Sequence, residues 1–221
     1  MRMTTRLSTI LGSFGLAALA VLGPFSSPAA AQPPAIGVRG FFAADSDAMR
    51  ASNSFKAVLD TSTLKAFGGG VDVLNVWKQL FVHVALTHAS KDGERAVVFN
   101  GQAIKVGIPI TVSMTPVEVG AGWRFASPRA KVAPYAGGGA LMMKYSERSP
   151  FATSGDDVDL SKTGYFVLGG VEYSVMRHVV VGGEVQFRSV PGAIGTAGVS
   201  KDYNEKDLGA VAARLLVGVR F

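Results

Sequence analysis

The final segment of the chain alternates. Val211, Ala213, Leu215, Val217, Val219 and Phe221 are apolar, while Ala212, Arg214, Leu216, Gly218 and Arg220 between them carry two arginines. A period of two predicts a strand with two unlike faces. The same alternation recurs upstream. Val117, Val119, Ala121, Trp123 and Phe125 oppose Glu118, Gly120, Gly122 and Arg124. Val179, Val181, Gly183, Val185 and Phe187 oppose Val180, Gly182, Glu184, Gln186 and Arg188. Tyr165, Val167, Gly169, Val171 and Tyr173 oppose Phe166, Leu168, Gly170, Glu172 and Ser174. Each strand thus has an apolar face and a face bearing charge. That suits a barrel whose outside meets lipid and whose inside is polar.

Period two predicts eight strands, at about 36–44, 65–76, 79–89, 112–125, 131–145, 163–174, 179–189 and 208–221. The connections alternate in length. Short ones follow strands two, four and six, and long ones occupy 45–64, 90–111, 146–162 and 190–207. The expected fold is all-β: an eight-stranded antiparallel up-and-down transmembrane barrel with short periplasmic turns and long extracellular loops. An even strand count puts both ends of the barrel in the periplasm. Within the loops, 51–59 predicts a helical turn. Asn100-Gly101 is a type I′ signal, so strands three and four should continue outward as a ribbon. Pro109 and Pro116 should make the ascent to strand four irregular. Loop 190–207, mostly Gly, Ala, Ser and charge, is expected to be mobile.

The phase of these strands collects Arg39, Arg124, Arg188, Arg214 and Arg220 inward with Asp72, Glu118, Glu172 and Glu184. His83 also faces inward by phase. An unpaired charge in such a space is costly and a paired one tolerable. The set therefore predicts an ion-pair network filling the lumen, with no open water channel. Eight strands leave room for little more than side chains. Trp77, Trp123, Phe125, Phe187 and Phe221 fall near strand ends and are expected to form aromatic girdles at the membrane surfaces.

The first residues add an address. Arg2 and Arg6 precede an apolar run, then Pro24 and Pro28, then Ala29-Ala30-Ala31. This is the layout of a secretory signal peptide, 1–31, leaving a barrel domain at 32–221. The chain carries +6 overall, and two of those charges lie in the leader, which leaves +4. Export makes nucleic acid an unsuitable partner for that charge. There is no cysteine. Three scattered histidines and no thiol predict no zinc site and no cofactor. Asp156, Asp157 and Asp159 suggest a solvated loop; the spacing of a calcium-binding helix-loop-helix is missing.

Lys131-Val132-Ala133-Pro134-Tyr135-Ala136-Gly137-Gly138-Gly139, Gly169-Gly170-Val171-Glu172-Tyr173 and Leu215-Leu216-Val217-Gly218-Val219-Arg220-Phe221 resemble the wording of small Gram-negative outer-membrane barrels. That superfamily includes the OmpA transmembrane domain and OmpX. The resemblance spans nearly all of 35–221. It implies residence in the outer membrane, contact with its lipid and lipopolysaccharide, and recognition of Phe221 by the barrel-assembly machinery. A monomer is expected, without the peptidoglycan-binding domain that some members carry after the barrel, since the sequence stops at the last strand. It does not name an activity, because one such fold serves many roles. The primary expectation is a non-enzymatic envelope or surface protein with loop-mediated binding or protection of a still unnamed ligand or partner. Loops 45–64 and 90–111 are the best contact surfaces. The alternative is a porin-like narrow channel for small solutes. A lipid-modifying enzyme is the weaker third reading: His83, His88 and Ser90 lie close in sequence, but a hydrolase needs its base, nucleophile and acid to meet.

Overall fold

The computed structural model describes residues 36–127, 130–151 and 157–221. The expected leader 1–31 lies outside them, as do Pro128, Arg129 and Asp156. Eight strands form one closed antiparallel barrel in sequence order. They are β1 (Gly37–Met49), β2 (Thr63–Trp77), β3 (Leu80–Phe99), β4 (Gln102–Arg124), β5 (Val132–Arg148), β6 (Val158–Ser174), β7 (Val179–Ser189) and β8 (Ala210–Arg220). Helix α1 (Ser52–Leu59) lies between β1 and β2, and the short α2 (Gly198–Asp202) lies between β7 and β8. The ring closes where Arg39 meets Arg220 and Met49 meets Ala210 across β1 and β8. Closure gives every barrel strand a partner on both sides, which a sheet in lipid requires.

The inward and outward faces follow the alternation in the sequence. On β8, Leu215 and Val217 are exposed, as is Phe221 just after it, while Arg214 and Leu216 are buried. Phe42, Phe67, Val84, Val119, Val167 and Val185 extend the exposed apolar face around the ring. The run 211–221 rises ~3.3 Å per residue, or about 25 Å along the barrel axis at a tilt of ~40°, the height of an outer-membrane apolar belt. At one end of that belt lie Trp77 and Trp123, edge to face at 6.1 Å, with exposed Phe125 and Phe221. Toward the other end the outward side chains turn polar. Lys65 donates to Ser46 at 2.8 Å, and His88 meets Thr115 at 2.8 Å.

Two glycines show how so narrow a ring holds large inward rings. A Cβ on Gly122 would lie 2.3 Å from Cζ of Phe81, and one on Gly170 would lie 2.7 Å from Cζ of Tyr135. Phe81 and Tyr135 then meet edge to face at 6.0 Å. A side chain at either glycine would push these rings out of their contact.

Several strands run further than the sequence pattern suggests. β1 does not stop at 44 but runs through Asp45 and Asp47 to Met49. Its inward phase simply continues, and both acids meet arginines inside, so the polar stretch is wall and not loop. β5 and β6 likewise extend to Arg148 and back to Val158, shortening the loop expected at 146–162. β3 and β4 run out as the expected ribbon to a turn at Asn100 and Gly101, both with positive φ (51° and 77°), as type I′ requires. The register of the ribbon shifts between Glu94 and Ala96, opposite the stretch holding Pro109 and Gly107. Pro116 produces no such shift: β4 passes through it, paired with Met143 of β5.

Candidate functional site

The interior has two layers. The first is a lattice of charge. At its centre Glu118 of β4 contacts Arg188 (3.1 Å), Arg214 (3.2 Å), His83 (3.3 Å) and the amide nitrogen of Gln186 (3.2 Å). Arg214 holds Asp45 with two nitrogens, Nε at 2.8 Å and Nη2 at 2.9 Å. Arg188 donates to Asp45 at 2.8 Å and to Asp47 at 3.1 Å. Glu184 takes Arg214 at 3.3 Å, Gln186 at 2.6 Å and the Tyr135 hydroxyl at 3.0 Å. Toward the short-turn end, Arg39 donates to Asp72 at 2.7 Å and also contacts Glu172. Arg124 (2.9 Å) and Arg220 (3.0 Å) converge on the same Glu172. Cross-strand register sets several of these pairs directly, with Arg39 opposite Asp72, Asp72 opposite His83, and Arg214 opposite both Asp45 and Glu184.

All nine residues expected in the lumen therefore sit in one interlocked set. The set holds two acids more than the strand pattern predicts. Five guanidiniums face six carboxylates, because Asp45 and Asp47 join Asp72, Glu118, Glu172 and Glu184. His83 bridges the halves. Nδ1 lies 2.7 Å from Asp72 and Nε2 lies 3.3 Å from Glu118, with Phe41 stacked on the ring. With a proton on each nitrogen it can donate to both carboxylates, and six cations then face six anions. Gln186 and Tyr135 are further members that charge patterning alone does not reveal. Their signal was their inward phase.

The second layer is apolar and fills the mouth at the long-connection end. Phe55 and Leu59 of α1 pack over Leu64, Ala66, Ile110, Val112, Met114, Tyr145, Leu141 and Met143. The helix is held by a distant acid. Glu205, in the segment before β8, accepts hydrogen bonds from the backbone N–H of Asn53 (3.0 Å) and Ser54 (2.8 Å) and from the Ser54 hydroxyl (2.6 Å). A carboxylate there satisfies the orphan donors of the first turn and complements the helix dipole. Asp207 ties the same segment to the wall. It accepts from the Ser189 hydroxyl (2.7 Å) and the N–H groups of Val190 (2.7 Å) and Gly209 (2.8 Å), and pairs with Arg50 at 3.0 Å. Partial burial would raise the Asp207 carboxyl, but these donors and Arg50 outweigh it and hold its pKa below the ordinary value. Loop 190–207 is thus tethered and carries α2, where the sequence suggested a mobile segment.

The expected girdle residues divide. Trp77, Trp123, Phe125 and Phe221 lie at the short-turn end, with Phe221 against His178 at 6.0 Å. Phe187 lies toward the other end, beside Tyr165 at 6.4 Å and under the Arg50 guanidinium at 4.8 Å. The residues weighed for hydrolysis do not assemble. His83 is engaged inside, His88 is outside on Thr115, and the Ser90 hydroxyl meets Ser113 at 3.1 Å. Asp157 and Asp159 face Arg148, and no group able to hold a metal ion occurs among the described residues.

No protein-family model and no curated protein sequence matches the chain. Solved structures do. Ail, the attachment invasion locus protein of Yersinia pestis, crystallised in complex with the heparin analogue sucrose octasulfate, is 14% identical with a TM-score of 0.51, covering 84% of this chain and 99% of that one. Neisserial surface protein A is 15% identical over 84% of this chain and 95% of that one, TM-score 0.47. The N-terminal barrel domain of Pseudomonas aeruginosa OprF is 14% identical over 83% and 97%, TM-score 0.42. Closed eight-stranded topology, apolar exterior, charged interior and the likeness to Ail agree: the chain has the fold of the small outer-membrane β-barrels.

Proposed function

We propose that this protein is a non-enzymatic surface component of the outer membrane, in which the barrel anchors a contact platform built from the β3–β4 ribbon, α1 and the α2 segment. The observation that carries this is the ribbon. β3 pairs with β2 only as far as Phe67 opposite His88, and β4 pairs with β5 only as far as Thr111 opposite Arg148. Beyond those points the two strands pair with each other alone, presenting exposed Val97, Phe99, Ile104 and Val106. An outlying hairpin with apolar side chains contributes nothing to closing the barrel. Exposed apolar surface of this kind is suited to a partner.

The reading as a non-enzymatic protein rests on the dispersal of His83, His88 and Ser90 just described. Reading it as a channel is disfavoured by the two interior layers, which fill the cross-section. The lipid and lipopolysaccharide of the outer leaflet would meet the barrel at the level of Lys65, His88 and Lys144, where the exterior turns polar. In this reading the assembly machinery recognises Phe221, whose ring is exposed beside His178. The test is to excise 96–105 and display the shortened protein on cells. Adherence to protein- and glycan-coated surfaces should be lost while heat-modifiable barrel migration is kept. Unchanged adherence would remove the ribbon from the contact surface, and loss of the folded band would refute the separation of anchor from platform.

A further inference from the structure

The outer mouth holds a preformed cavity of about 520 Å³ between α1, the root of the ribbon, β5, β6 and the α2 segment. We propose that this cavity is a binding site for an uncharged, apolar small molecule of about bicyclic size, a site that shares the root of the ribbon but not its tip. Its volume lies within the ~300–1,000 Å³ typical of small-ligand sites, and barrel mouths are common places for them.

The lining determines the ligand class. The deep wall is Phe55, Leu59, Ile110 and Val112, all buried and continuous with the apolar layer. A water placed there would find no polar partners, though it needs two to four. Three polar side chains at the rim, Ser54, Ser200 and Glu147, are already engaged, and Thr196 is exposed at its outer edge. The Ser54 hydroxyl donates to Glu205, the Ser200 hydroxyl accepts from the N–H of Gly195 and reaches the Ala197 carbonyl, and Glu147 accepts from the Tyr145 hydroxyl. A polar ligand would compete with these bonds; an apolar one leaves them intact. Arg95 and Glu147 bring opposite charges to the lining, so neither sign of ligand charge is favoured. The walls are also fixed in advance. Glu205 joins α1 to the α2 segment, and Asp207 joins that segment to β7 and Arg50. A site whose walls are tied before binding loses little on ordering. The floor is closed by the apolar layer and the charge lattice beneath it, so the cavity is a cup and not the entrance of a pore.

Isoleucine side-chain NMR separates this from general partitioning, because Ile110 and Ile194 line the cavity while Ile36 and Ile104 lie at the far end of the barrel and near the ribbon tip. The full chain in lipid nanodiscs is titrated with naphthalene. Saturable shifts are expected in the Ile110 and Ile194 methyls, with those of Ile36 and Ile104 unmoved. Ala96→Trp, which fills the cavity from the ribbon root, should weaken binding at least tenfold; Ala103→Trp, outside the lining, should not. Non-saturating shifts, shifts spread equally to Ile36, or a folded Ala96→Trp protein that binds as the wild type would overturn the site. If Ala96→Trp fails to fold, the wild-type shift map decides alone.

Discussion

The two layers of the interior close the same ring by opposite means. Near the middle and the short-turn end the cross-section is filled by guanidiniums and carboxylates, with Arg188, Glu118 and Glu172 each 1% exposed. At the outer mouth it is filled by Phe55, Leu59, Leu141 and their neighbours, with scarcely a charge among them. The lattice is directional. Most members are held by two or more partners, and loss of one leaves its neighbours buried with fewer partners and an unbalanced charge. The apolar layer is not directional, and loss of one side chain leaves a space that its surroundings can partly fill. The lattice should therefore fail steeply and as a unit, the plug gradually and locally.

The largest effect should come from the lattice. Glu118→Ala removes the partner shared by Arg188, Arg214 and His83, and should cost roughly 3–5 kcal/mol, read from urea unfolding in lipid vesicles. A loss under about 1 kcal/mol would mean that water screens the lattice and that it is not a dry core. Leu59→Ala tests the other layer. It should cost about 2 kcal/mol, at the low end for buried leucines because α1 can settle inward. Its hydrogen-exchange effect should stay at the mouth. If the strand amides of β7 and β8 exchange faster too, the layers are coupled and the contrast fails.

Asp207→Asn is milder. It weakens the tether of the α2 segment by about 1 kcal/mol, because the site is partly open to solvent. The pH dependence has a defined sign. The folded carboxyl titrates below its unfolded value of about 3.9, so its contribution is complete above that value and is lost as pH falls through the folded one. Proteolysis of 190–207 should therefore stay slow at neutral and mildly acidic pH and quicken only in stronger acid. Quickening already near pH 6 would point to a histidine instead. Smallest in equilibrium stability is removal of Phe221. Its backbone pairs with Val38 in both directions, but its ring is exposed, so the main loss should be in the yield of membrane insertion. Unchanged insertion would count against its role as an assembly signal.

The sequence revealed most about what repeats every second residue. β4, β6, β7 and β8 can be phased from their own letters, and phase alone places Arg124, Glu172, Glu184, Arg188, Arg214 and Arg220. It misled where composition opposed phase. Asp45-Ser46-Asp47 reads as a turn because acids are poor strand residues, yet Arg39, Phe41 and Ala43 already set the register that carries both aspartates inward. The tethered mouth was least legible. Glu205 reaches Ser54 across 151 positions, and Arg50 reaches Asp207 across most of the chain, so no local pattern announces either contact. Gly and Ser around 192–200 suggest freedom, and the restraint comes from Glu205 and Asp207, which follow them.

If the charge lattice and the apolar plug together seal the ring, the barrel is an anchor and not a pore. Single-channel recording in planar bilayers tests it most directly. The wild-type protein should give no stable unit conductance at neutral pH; large, reproducible, long-lived current steps from the folded barrel would contradict it.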